Sequence, residues 1–461
     1  MSRLQPLWQG RDLQAPVAWR HGVPVSGAQF LADAQRLAGR LPPSARVVNL
    51  CADRYAFSVA LAAAWSRGDV CLLPPNAMPQ TLAQVARPGE SLVALVDDPA
   101  FVPPSGLAVE FVDAPWAGQA APADMPLLEE QSDAVCLMTS GSTGVPQPHT
   151  KAWGPLRANI AAGVERLAEC LGQADLSGLT VVASVPPQHS YGLESSVLLP
   201  LLGGAAFDSG RPFYPADIAE ALARVPRPRA LVTTPFHLKT LLQSGVALPA
   251  TELVLSATAP LSPQLAAQAE AAFGGALIEI YGCTEAGQVA TRRTAQGDQW
   301  RTFGELRVWR EEGAEGERFL VQGGHVIEAT PLADVLELQD DRHFRLLGRA
   351  NDLIHVAGKR SSLAFLNFQL NRVPGVQDGC FWMPDEVVEG VVRPVAFVVA
   401  PELSAAEVIA GLRAVLEPAF VPRKVVHVDE LPREATGKLT ARTLREFALS
   451  QLARSSSPPR A

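Results

Sequence analysis

The chain has 461 residues, too many for one ordinary core and enough for two or more domains. Hydrophobic residues make up 48% and charged residues 19%, a balance that excludes an intrinsically disordered chain. A net charge of −8 argues against a nucleic-acid partner, and the absence of a run of about 18 apolar residues predicts no membrane span.

Met1 to Pro6 lacks the apolar core of a signal peptide. Cys51, Cys71, Cys136, Cys170, Cys283 and Cys380 form no C-x-x-C pair, and the eight histidines form no ligand cluster. The expectation is reduced, mostly buried thiols in a cytoplasmic protein without structural zinc. There is no internal repeat.

In chain order, helical spacing runs from about 26 to 40, with Ser26 as N-cap. Arg46–Leu50 reads as a buried strand, Tyr55–Trp65 as an apolar, Ala-rich helix, and Val70–Leu73 and Leu92–Val96 as further strands. Strands alternating with helices predict parallel α/β layers. Residues 97–130 are Pro-rich and read as irregular.

A short buried strand, Ala134–Met138, leads into Thr139-Ser140-Gly141-Ser142-Thr143-Gly144-Val145-Pro146. Inward-turned N–H groups, hydroxyls and two glycines can cradle an anion, although the same composition suits a surface linker. The loop lacks the Gly-Lys-Ser/Thr ending of a Walker site. Beyond it, Leu156–Leu171 reads as a helix and Thr180–Val185 as a strand ending in Pro186-Pro187-Gln188-His189-Ser190-Tyr191-Gly192. Ligands gather beyond the carboxyl ends of such strands, which places His189 and Tyr191 at a candidate site; the bland alternative is a structural hydrogen-bonding pair. Leu253–Ser256 is a strand turning at Ala257-Thr258-Ala259-Pro260, and Ile278–Tyr281 is a strand breaking at Gly282 before Cys283-Thr284-Glu285. Val395–Val399 and Val425–Val428 are strands of a small α+β unit. The tail from Arg454 is expected to be disordered.

These motifs, in this order, resemble those of the adenylate-forming superfamily of acyl- and aryl-CoA synthetases, stand-alone adenylation enzymes and luciferases. The match is carried by the Thr139–Gly144 loop, Tyr281-Gly282-Cys283-Thr284-Glu285, Asp334, Gly348-Arg349-Ala350-Asn351-Asp352 and Lys438. It implies an α/β fold with a large multi-layer N-terminal domain at 1–348, a hinge at 349–352, a small mobile α+β lid at 353–450 and a tail at 451–461.

The resemblance assigns ATP to Thr139, Ser140, Gly141, Ser142, Thr143, Gly144, Lys151, Ala257, Thr258, Ile280, Tyr281, Gly282, Cys283, Thr284, Asp334, Leu346, Arg349 and Lys438. Mg²⁺ falls to Glu285 and Thr143. The acid falls to His189, Tyr191, Gly192, Ser256 and Gly282. Asn351 is the pivot, and Gly358 lines the thiol path. Lys438, Glu285 and Thr284 are the implied catalytic residues. Gln147 stands where the family's loop has Lys, and Lys151 is the nearest base downstream.

The implied reaction is adenylation of a carboxylic acid followed by transfer to a thiol. Ser184–Gln188 offers no acid for an α-amino group, and His189 with Tyr191 favours an aryl acid bearing a hydroxyl, such as 4-hydroxybenzoate. The compact length, altered loop and Asn351 resemble ligases of aryl-polyene and xanthomonadin-type pigment clusters. That likeness makes the acceptor a phosphopantetheinylated acyl carrier protein; the local basic groups Lys359, Arg360, Arg372, Arg423 and Lys424 suit either steering of an acidic carrier or binding of the coenzyme A phosphate. Coenzyme A is the alternative acceptor, and a non-catalytic adenylate-binding homologue is the alternative of another class.

Overall fold

In the computed structural model the apolar run expected as a helix forms one, Arg54–Ser66, and every residue from Arg54 to Trp65 is buried. A helix apolar on all sides has no face to offer water, so it belongs between layers. Trp65 Nε1 donates to the Ala134 carbonyl at 2.9 Å on one side. On the other, Arg54 reaches the carbonyls of Ala183 and Val185. Phe57 is wholly buried here, and Phe57→Ala would cost about 3–5 kcal/mol through the cavity left behind.

The layers on either side are two sheets. The smaller has six strands in the order Pro146–Ala152, Asp133–Ser140, Cys71–Leu73, Arg46–Asn49, Leu92–Val96, Ala108–Phe111. The larger has eleven, and its centre is the parallel set Thr180–Ala183, Arg229–Thr233, Leu253–Ser256 and Ala276–Cys283. One apolar core joins both sheets to the helix between them. A second core lies under helices Pro215–Arg224, Pro235–Gln243 and Pro263–Phe273. Towards the C-terminus, the sheet of Asp378–Trp382, Val395–Val399 and Val425–His427 packs into separate cores with helices Leu363–Leu370, Ala405–Arg413 and Ala441–Ser456. This is a large α/β N-terminal domain followed by a small α+β one. The structure describes residues 4–43, 45–85, 90–116, 124–140, 146–313, 316–349, 353–356, 359–384, 393–433, 439 and 441–456.

Several expectations need correction. Residues 97–130 hold two short strands: Ala108–Phe111, parallel to Leu92–Val96, and Leu127–Glu129, antiparallel to Leu4–Pro6. Strands of three or four residues are too short to show a period. The strand before the Ser/Gly loop runs from Asp133 to Ser140, and a strand not expected, Pro146–Ala152, pairs back on it. Pro146 and Pro148 hid it, yet both are tolerated because this strand is an edge of its sheet. The strand expected to break at Gly282 continues to Cys283 through a register shift between Tyr281 and Gly282. The last helix extends to Ser456, into the stretch expected as a disordered tail, while 457–461 lie outside the described residues.

Candidate active site

Three of the four central strands end side by side, and the fourth runs on to Cys283. Their registers set Thr233 beside Ser256 and Ser256 beside Glu279. The hydroxyls beyond these ends form a linked set. Ser184 Oγ lies 2.8 Å from Thr233 Oγ1 and 3.2 Å from His237 Nδ1. Tyr191 Oη donates to the Thr233 carbonyl at 3.1 Å. Burial holds that phenol above its ordinary pKa, so it stays a neutral hydroxyl whose oxygen can still accept. Ser256 Oγ is buried without a hydrogen-bond partner among the described residues. A buried orphan hydroxyl is costly to leave unpaired and marks a place where a ligand's polar group can bond.

His189 and Tyr191 sit on the loop that leaves the first of these strands. Ser190–Gly192 is one helical turn opening into a π-helical stretch, Leu193–Leu198, a form common at functional sites. A Cβ on Gly192 would meet the Pro186 carbonyl oxygen at 1.8 Å, so only glycine permits the loop to close on itself. His189 is exposed, and its imidazole is held below its ordinary pKa by desolvation and then by Arg211.

Next along the crevice is an aromatic wall. Tyr281 Oη donates to Asp334 Oδ2 at 2.8 Å, with Trp300 and Phe344 packed around its ring at 5.7 and 5.8 Å. Ile280 is buried, Leu346 is half-buried, and the Arg349 backbone lies in register with Asp334. Gly282 is obligatory: a Cβ there would lie 2.3 Å from the Gly287 carbonyl oxygen. Burial pushes the Cys283 thiol up to about 11, so it is no nucleophile at neutral pH. Ala257 is buried, and Thr258 after it is exposed with φ at 79°. A β-branched residue at positive φ is a true outlier.

The far end is charged. Lys151, on the edge strand after the Ser/Gly loop, donates through Nζ to the Glu285 carbonyl. Its ammonium is held below its ordinary pKa by desolvation, against the pull of Glu194, Cys283 and Glu285. Glu285 is exposed at the turn, with His149 Nε2 3.8 Å from its Oε1, and Thr284 beside it is half-buried. Glu194 is buried in the π-helical stretch and accepts from Ser190 Oγ at 3.0 Å. Burial raises its pKa, while Asn159 and Lys151 oppose the rise.

Thr139 and Ser140 end their strand, their backbones in register with Gln147 and Pro146. Gly141, Ser142, Thr143, Gly144, Asn351, Gly358 and Lys438 lie outside the described residues. Among the described residues no three His, Cys, Asp or Glu side chains gather to hold a metal. A lone exposed carboxylate fits Mg²⁺, which takes one or two protein oxygens and completes its shell with water and substrate phosphates. Ser184, Thr233, His237, Glu194 and His149 were not legible as site residues. The only signal was Thr233-Thr234 at a strand end before Pro235.

The fold and crevice define an α/β protein with a binding cleft at the carboxyl ends of neighbouring parallel strands, followed by a small C-terminal domain. Residues 11–306 match the AMP-binding enzyme family, and residues 369–438 match the AMP-binding enzyme C-terminal domain. The chain belongs to the AMP-binding enzyme family. It is 32% identical over 231 residues to a 4-coumarate–CoA ligase of Halorhodospira halophila, covering 50% of this chain and 54% of that protein. It is 25% identical over 382 residues to a 2,3-dihydroxybenzoate-AMP ligase of Bacillus subtilis, covering 72% and 67%. Among solved structures, ATP-bound MatB of Rhodopseudomonas palustris superposes with a TM-score of 0.75 at 21% identity, over 95% of this chain and 96% of that one. The O-succinylbenzoate coenzyme A synthetase of Bacillus subtilis bound to AMP gives 0.76 at 18%, over 96% and 98%. No helix among the described residues is long and apolar enough to cross a membrane.

Proposed function

We propose that the chain is an ATP-dependent acid–thiol ligase that adenylates a hydroxyl-bearing aryl acid and passes the acyl group to coenzyme A. The observation that carries this is the junction of Lys151 with the Glu285 carbonyl, which ties the edge strand Pro146–Ala152 to the Tyr281–Glu285 segment. Asp334 supplies a carboxylate for ribose hydroxyls, and Tyr281 a ring beside it. Tyr191 and the orphan Ser256 hydroxyl supply polar contacts for the acid. Glu285, with Thr143, would hold Mg²⁺, which would supply charge neutralisation on the phosphates. Lys151 and Lys438 add fixed positive charge, and displacement at phosphorus needs such charge and alignment more than proton transfer.

Coenzyme A replaces the carrier protein as first choice of acceptor because relatives of this chain are named CoA ligases. The carrier-protein reading keeps one observation in its favour. Arg423 and Lys424 are adjacent and exposed on the small domain, where they can steer an acidic partner. The test is acid-dependent ATP–pyrophosphate exchange across a panel of hydroxybenzoic, cinnamic, dicarboxylic and fatty acids, followed by acceptor competition. Exchange with hydroxyaryl acids and acylation of coenzyme A support the proposal. Absence of exchange with every acid overturns it. Preferred acylation of a holo-carrier protein, slowed by salt and by charge reversal at Arg423 and Lys424, selects the second acceptor.

A further inference from the structure

Among the described residues, Arg54 is the one guanidinium with no exposure at all, and it opens the helix between the two sheets. It spends its donors on neutral acceptors. Nε donates to Ser196 Oγ at 3.1 Å, Nη1 to the carbonyls of Asp208 at 3.3 Å and Gly210 at 2.5 Å, and Nη2 to those of Ala183 at 3.3 Å and Val185 at 2.9 Å. Burying a charge is costly, and a staple between layers can be made from apolar side chains without that cost. What an apolar residue cannot do is hold several diverging carbonyls at once, which is what a planar fork of donors does.

Three of these five acceptors, Ala183, Val185 and Ser196, lie at the two ends of one segment. Ala183 and Val185 are where the chain leaves its strand towards His189. Ser196, on the π-helical stretch, donates in turn to the Gly192 carbonyl at 2.6 Å, where the segment re-enters. Gly192 is pressed against the Pro186 carbonyl, so the two ends meet with no slack. His189 and Tyr191 lie between them.

We propose that Arg54 is a positioning residue for the acid-binding loop, acting through two links: directly on the carbonyls of Ala183 and Val185, and through Ser196 on the carbonyl of Gly192. This rests on the assignment of that loop to the carboxylic acid substrate. Tyr281, Asp334 and Lys151, assigned to the nucleotide, stand on strands the clamp does not touch, so loosening it falls chiefly on the acid.

Ser196→Ala in the full-length protein cuts only the second link, and Arg54→Lys keeps the charge but loses the fork. Hydrogen exchange of the peptide covering 186–192 reads the clamp without any substrate. It should quicken at least tenfold in Ser196→Ala, while the peptide covering 253–256 stays at the wild-type rate. In pyrophosphate exchange, KM for the acid should rise about tenfold in Ser196→Ala and further in Arg54→Lys, with KM for ATP within twofold of wild type. Unchanged exchange at 186–192 in Ser196→Ala overturns the proposal, as does a parallel rise of both KM values. Should Arg54→Lys fail to fold, Ser196→Ala decides alone. Quickened hydrogen exchange in a protein that adenylates no acid at all upholds the clamp and overturns only the assigned function.

Discussion

Tyr281 donates its phenol hydroxyl to Asp334 Oδ2 at 2.8 Å, joining two residues 53 positions apart in the chain. The tyrosine arrives on a central strand, and the aspartate begins a strand at the end of the same sheet. If Asp334 exchanges this bond for ribose hydroxyls, Asp334→Ala should raise KM for ATP by roughly 10- to 100-fold, the value of a charge-assisted bond of about 1.5–3 kcal/mol. KM for the acid should stay put. The wild type should disfavour 2′-deoxy-ATP and the variant should not; equal discrimination by both proteins rules out a ribose role.

Lys151 is proposed to add fixed positive charge at the phosphates, in a chain whose loop carries Gln147 rather than Lys. Its ammonium matters most when charge builds on the phosphates, so Lys151→Met should lower the rate of adenylation on the order of 10²-fold with little change in ATP affinity, by analogy with loss of one transition-state donor. Transfer from pre-formed acyl-adenylate should also survive in Lys438→Ala, in which adenylation should fall on the order of 10²–10³-fold. A Lys151→Met enzyme with wild-type pyrophosphate exchange leaves the charge to some other group.

Tyr191→Phe keeps the ring and removes a hydroxyl that donates to the Thr233 carbonyl. A neutral bond to a buried group is worth roughly 0.5–1.5 kcal/mol, so kcat/KM for 4-hydroxybenzoate should drop about threefold to tenfold. Benzoate, with no hydroxyl to pair, should respond much less. If both acids respond alike, Tyr191 is a wall of the pocket and no more.

Thr258 holds φ at 79°, where a β-branched residue stores on the order of 1–3 kcal/mol of strain. Thr258→Gly relieves it at the entropic cost of a freer unfolded chain, about 0.5–1 kcal/mol. The expected outcome is a gain of about 1 kcal/mol in denaturant unfolding. A loss of stability shows that the threonine side chain contributes more than its backbone costs.

His325 is 8% exposed, and its imidazole is pushed down to about 4, chiefly by desolvation. The folded value lies below the ordinary 6.5, so this group's contribution to stability is complete above pH 6.5 and is lost as pH falls through 4. His325→Asn cannot take up that proton. Between pH 6.5 and 4 the wild type should therefore lose roughly 3 kcal/mol more than the variant. Parallel stability–pH curves would show that His325 charges freely in the folded chain.

What the sequence determined by itself was local chemistry. The run from Tyr55 to Trp65, interrupted only by Ser58, has no polar face and reads as a buried helix. Ser26 accepts from the Gln29 amide at 3.2 Å, as its place before an amphipathic run requires. The ordered motifs from Thr139 to Asp334 carried the family on residue types alone. Tertiary structure decided the rest. The edge strand Pro146–Ala152 exists because one side of it needs no donors, a condition invisible to propensity. Lys151 meets Glu285, and Glu194 lies buried behind them, only because strands distant in the chain lie side by side in the fold. Ser184, Thr233 and His237 have nothing in their spacing to link them. They become one polar set because parallel strands end at a common edge, where side chains leave the sheet and a ligand can enter.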